Sequence, residues 1–221
     1  MLIQERRIKV TAILLLILTI IWLVFTIISM SEVKSSWNDI DFIKWISHPN
    51  FFFTGNYINA SLLTIVAIFL FTFLFNFLKP KYDNIVITGL IFVPIYGVIN
   101  LLCYSIQISI VPSIANASLT NQNTIIIVSQ LIQANSKSLI GFMNGLAYAI
   151  LGIPSIIFGL FLIKDRKKYS GIFLLLNGIL CIIGIIGYLI GNNILSSGIM
   201  IGGVVFLICL IFMVIEFKYS K

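Results

Sequence analysis

The chain has 221 residues, of which 60% are hydrophobic and only 10% charged, and its mean hydropathy is +1.12. A soluble domain carries about a quarter charged residues, so a soluble fold is excluded. The net charge of +7 needs a membrane explanation before a nucleic-acid one, and no nucleic-acid partner is expected. The predicted class is all-α: a polytopic membrane protein forming a bundle of six transmembrane helices as a single membrane domain, without a separate soluble part.

A helix that crosses a bilayer needs about 20 mainly apolar residues. Six stretches meet that need, in chain order 10–30, 57–78, 85–111, 139–163, 171–189 and 198–217. The first follows Arg6, Arg7 and Lys9 and is too long for a signal peptide, with no small-residue cleavage site after it. It is taken as a span. Between the first two spans, Trp37, Ile40, Phe42, Ile43 and Trp45 mix with Asp39, Asp41 and Lys44. That mixture predicts a short interfacial helix over about 36–47.

The second span is expected to stop at Phe77-Leu78-Lys79-Pro80, because proline ends helices. After the third, the polar run that follows Pro112 reads as an irregular loop. The apolar piece at about 124–134 is too short to cross and is expected at the surface. Pro94 and Pro154 lie inside spans and are expected to kink them.

Charge fixes the expected orientation. Lys and Arg gather at the N-terminus, at Lys79 and Lys81, at Lys164–Lys168, and at Lys218 and Lys221. These alternate segments hold eleven of the fourteen basic residues. Only Lys34, Lys44 and Lys137 fall on the opposite side. The positive-inside rule then places both termini in the cytoplasm; for Lys164–Lys168, contact with anionic lipid is the alternative to this topological meaning. Heavy use of Ile, Lys, Asn and Phe points to an AT-rich prokaryote, and so to a multi-pass protein of its cytoplasmic membrane.

A polar stripe crosses the apolar spans. At 100° per residue, Tyr96, Asn100, Tyr104 and Gln107 fall within about 80° of one another. Gly141, Asn144, Tyr148, Gly152, Ser155 and Gly159 share a similar arc on the fourth span, and Lys137 projects onto it. Asn177, Cys181, Gly184 and Tyr188 do the same on the fifth. An amide facing acyl chains has no hydrogen-bond partner, at a cost of several kcal/mol. These faces must turn inward, either as inter-helix hydrogen bonds or as a site. The candidate ligand-binding residues are Tyr96, Asn100, Tyr104, Gln107, Lys137, Asn144, Tyr148 and Tyr188. They are expected to line a polar cavity open to the outside, with Lys137 at its mouth.

Three Gly-x-x-x-Gly stretches, 141–145, 187–191 and 198–202, mark close helix approach or contact with a second copy or a membrane complex. Apart from these, the expected partners are membrane lipids.

Chemistry-bearing motifs are missing. Cys103, Cys181 and Cys209 lie inside spans at spacings that fit neither a metal nor a disulfide framework. His48 is the only histidine. The span cores hold no Asp, Glu, Arg or His, which proton relays and ion-coupled pumps use. No hydrolase motif or nucleotide loop is present. The expectation is a non-enzymatic protein with no metal and no cofactor, which binds or moves a small neutral or lipid-like molecule. The alternative is a structural subunit of a larger membrane complex.

The layout resembles a prokaryotic family of six-span membrane proteins of unknown function. The resemblance is carried by Phe77-Leu78-Lys79-Pro80, by Ile140-Gly141-Phe142 with Ala147 to Leu151-Gly152, by Phe161-Leu162-Ile163-Lys164, and by the basic turn Lys164–Lys168. It implies the six-span fold and carries over no catalytic residue.

Overall fold

A computed structural model describes residues 2–33, 39–120, 124–135 and 138–217, without the side chains of Leu2 and Asp39. Among these residues there is no strand. The helices are α1 (Leu2–Ser31), α2 (Asp39–Ser47), α3 (Phe51–Ser105), a π turn (Ile106–Ile110), α4 (Val111–Ser118), α5 (Ile125–Leu131), α6 (Leu139–Lys164), α7 (Lys168–Leu189), α8 (Asn193–Ser196) and α9 (Gly198–Glu216).

Among the described residues, five helical runs are long and apolar enough to cross a membrane: Ile3–Ser31, Phe51–Ser118, Leu139–Lys164, Lys168–Leu189 and Asn193–Glu216. The second has 68 residues. Straight, it would be about 100 Å long, more than three times the hydrocarbon thickness of about 30 Å. It is not straight. Tyr82 leaves the helical region with φ −139° and ψ 30°. A Cβ built on Gly97 would lie 2.5 Å from Ile68 Cδ1, so residues about equally far from Tyr82 meet. Tyr57 and Tyr104 meet likewise, with ring centroids 6.2 Å apart. The run is therefore a helical hairpin.

The expected stop at Lys79-Pro80 is corrected by two residues. Proline already has a helical φ, and near a helix end it forfeits only one hydrogen bond, so the helix passes Pro80 and breaks at Tyr82. The irregular loop expected directly after Pro112 is also corrected. Helix continues to Ser118, with Pro112 directly after a π turn in which Val111 N bonds the Ile106 carbonyl, so the hydrogen bond that proline cannot make falls at a change of register. The preceding π turn absorbs the register change. α3 begins at Phe51 because the Asn50 side chain caps it, accepting from Phe53 N at 2.7 Å.

The residues fall into two compact units, 1–17 with 64–98 and 145–221, and 18–63 with 99–144. In the first, α6 and α7 are joined by glycines in reciprocal register. A Cβ on Gly152 would lie 2.8 Å from the Gly178 carbonyl oxygen, and one on Gly178 would lie 2.4 Å from that of Gly152. Gly159 and Gly171 repeat the arrangement, at 2.8 and 2.6 Å from each other's carbonyl oxygen. Gly184 meets Gly198 and Ile199 of α9 in the same way, and Asn177 Nδ2 donates to the Gly202 carbonyl at 3.0 Å.

Of the three expected Gly-x-x-x-Gly stretches, only 198–202 has both glycines against a neighbouring long helix. In 187–191, Gly191 ends α7 with φ +69° and has no neighbour within 4 Å, while Gly187 packs on Leu195 and Ser196. In 141–145, Gly141 meets the Gln133 and Asn135 carbonyls and Gly145 meets Ile199.

The second unit carries a cluster of Ile43 and Ile46 (α2), Phe53, Val111 and Ala115 (α4), and Val128 and Ile132 at α5. Val128 is fully buried. The two short segments that the sequence places at the membrane surface thus cover each other. Trp45 donates its indole N–H to Glu32 at 3.0 Å.

Candidate functional site

The polar stripe of α3 is buried as its spacing requires. Asn100 and Gln107 are fully buried, and Tyr96 and Tyr104 are each 4% exposed. Asn144 Nδ2 donates to Asn100 Oδ1 at 2.9 Å and lies 3.4 Å from the Tyr104 hydroxyl oxygen. These three form one polar cluster in the second unit, with Asn100 and Tyr104 buried and Asn144 half-buried. Asn100 Nδ2 is enclosed and has no acceptor.

Gln107 serves a different end. Its Nε2 donates to the Leu131 carbonyl at 2.7 Å, and its Oε1 accepts from Gln133 N at 3.1 Å. Leu131 is the last residue of α5, and a carbonyl there has no partner within its own helix. Gln107 therefore closes the end of α5 and is taken up fully by backbone. In the first unit, Tyr96 and Tyr148 face each other with ring centroids 6.0 Å apart. Tyr188 lies half-buried near the end of α7. Lys137 lies outside the described residues.

Sequence reasoning gave one end of the first unit a topological meaning, with contact to anionic lipid as the alternative, and did not show how its charges are paired. There Glu216, the last residue of α9, accepts from the backbone N–H groups of Tyr169 and Ser170 at 3.0 and 2.9 Å. Its carboxylate satisfies two of the orphan donors at the start of α7 and complements the positive helix end. Lys167 Nζ donates to the Glu216 carbonyl at 2.8 Å and pairs with Glu5 at 3.3 Å. Lys81, one residue before the break in the hairpin, pairs with Asp165. The Asp165 hydrogen bond, with its negative charge, holds the Lys81 amine above the usual lysine range.

A groove of about 640 Å³ opens among these groups, lined also by Lys164, Arg166, Phe212 and Ile215. A smaller one of about 450 Å³ runs beside Arg6, Arg7 and Phe73. No residue of the stripe lines either groove. The signal for the first was the acid within the basic turn, Asp165, together with the lone acids Glu5, ahead of the first predicted span, and Glu216, at the very end of the last.

Neither a family model, nor a curated protein, nor a solved structure matches this chain. Its function must be argued from its own residues.

Proposed function

We propose that the chain is a non-enzymatic six-span protein of a prokaryotic cytoplasmic membrane, with both termini cytoplasmic, and that it holds a small neutral or lipid-like molecule at the Asn100–Tyr104–Asn144 cluster. Support for six crossings comes from the reversal at Tyr82, which divides the 68-residue run into two antiparallel lengths. Each length is more than long enough to cross a bilayer. Counting them separately also restores the alternation of basic ends that the positive-inside rule requires.

The observation that carries the binding proposal is Asn100 Nδ2. It is a fully buried amide donor without an acceptor, beside two further polar side chains. An unmet buried donor costs about 1–3 kcal/mol, and a ligand carbonyl, ether or hydroxyl oxygen would remove that cost. Opening the cluster to the outside completes this reading.

The second reading is a structural subunit with no ligand. It is favoured by the Asn144–Asn100 hydrogen bond and by Gln107, whose polar atoms are all used within the chain. Asn100→Leu separates the two. Under both readings it lowers the melting temperature in detergent, because the Asn144 amide loses its acceptor. Under the binding reading, native lipid extract raises the melting temperature of the wild type and has no effect on Asn100→Leu. Equal shifts in both proteins would refute binding at this cluster.

A further inference from the structure

We infer that the groove at the charged end of the first unit is a binding site for the headgroup phosphate of an anionic glycerophospholipid, held by Lys164 and Arg166. The groove's charges are unevenly spent. Lys81 is paired with Asp165, and Lys167 with Glu5. The Glu216 carboxylate is occupied by the first backbone N–H groups of α7. Among the described residues, Lys164 and Arg166 have no carboxylate within ion-pair reach. Two cations facing one groove of about 640 Å³ form an anion site.

The backbone supports this assignment. α6 ends in a turn where Lys167 N bonds the Leu162 carbonyl at 2.9 Å and Arg166 N bonds that of Ile163 at 3.3 Å. This pairing places its C′ residue in the left-handed region, where glycine is favoured. Arg166 stands there with φ +63°, against its local preference. A strained residue is kept where its side chain is used. Arginine offers a planar fork of donors that matches a phosphate group.

The rest of the groove says which phosphate. Its other wall is apolar and open: Ile215 is 51% exposed and Tyr169 is 53% exposed, with the Tyr169 ring stacked on Phe212 at 5.1 Å. A water-soluble anion gains nothing from such a wall, whereas an acyl chain covers it. Basic pockets between spanning helices on the cytoplasmic side favour anionic headgroups. The inference uses the proposed topology only to set this end at the cytoplasmic surface.

The test compares melting temperatures in nanodiscs of pure phosphatidylglycerol and pure phosphatidylcholine. Both leaflets are then alike, so the result does not depend on orientation and stands or falls apart from the topology. The wild type should melt higher in phosphatidylglycerol. Lys164→Ala combined with Arg166→Gly should abolish that difference. Lys79→Ala, which removes a basic residue that does not line the groove, should keep it. Arg166→Gly alone should melt higher than the wild type in phosphatidylcholine, by about 2–4 °C, because the strain is gone, yet lose part of the phosphatidylglycerol gain. A full gain retained by the double variant, or an equal loss in Lys79→Ala, would overturn the site. A full gain produced by glycerol phosphate alone in detergent would overturn the lipid assignment in favour of a soluble phosphate.

Discussion

Gly178→Ala should destabilise the protein by about 1–3 kcal/mol, and Gly178→Leu should prevent α6 and α7 from assembling. The Ala Cβ would lie 2.4 Å from the Gly152 carbonyl oxygen, 2.8 Å from Ile156 Cγ1 and 3.0 Å from Ile156 N. The first and last of these are backbone atoms, which cannot swing aside as a side-chain tip does. The helices must move apart, and the matched contact of Gly159 with Gly171 one repeat away opens with them. Alanine's better helix propensity works in the opposite direction, but by at most about 1 kcal/mol, so the clash wins. Gly203 supplies the control: a Cβ there meets nothing within 4 Å, and Gly203→Ala should be neutral or slightly stabilising. Denaturant titration of both variants in one detergent checks the pair. Equal stabilities would mean that the glycine seam does not hold α6 to α7.

Gln107→Leu should cost about 2–4 kcal/mol. Leucine fills the space but leaves two backbone groups, the Leu131 carbonyl and Gln133 N, without the partners that Gln107 gives them at 2.7 and 3.1 Å. Each stranded group costs about 1–3 kcal/mol where water is scarce. The loss should appear first around α5, because Gln107 ties that helix to the π turn. Hydrogen exchange over residues 125–135 should therefore accelerate more than exchange in α6 or α7. Ser109→Ala is the comparison. Ser109 is exposed, and its hydroxyl only returns to the Ser105 carbonyl at 2.7 Å, so its removal should stay within about 0.5 kcal/mol. Uniform exchange in Gln107→Leu would contradict a local clamp.

The apolar runs were readable because a bilayer imposes a length that few other structures need. Their ends were not. Arg6, Arg7 and Lys9 lie within α1, since a helix does not stop where hydropathy falls. Pro80 and Pro112 misled because proline is read as a stop, yet near the break at Tyr82 it forfeits only one hydrogen bond, and at 112 the π turn takes up the change of register. The polar stripe showed which face of α3 is buried. What it touches was hidden, because Gln107 is met by backbone groups, which no residue type announces. The glycines were visible singly, whereas their register across α6 and α7 depends on where the connecting turn falls. Similarly, Lys164–Lys168 read as a topological signal or a contact for anionic lipid, and its place beside Glu5 and Glu216 depends on residues that are remote in sequence.

The hairpin at Tyr82 is the centre of the account, and the sidedness of the chain tests it most directly. Paired green fluorescent protein and alkaline phosphatase fusions are made after Asp83, after Asn116, after Lys168 and after Lys221. Six crossings predict fluorescence after Asp83, Lys168 and Lys221, and phosphatase activity only after Asn116. If residues 51–118 crossed once instead, the chain would have five crossings, its termini would lie on opposite sides, and the Lys221 fusion would show phosphatase activity and no fluorescence.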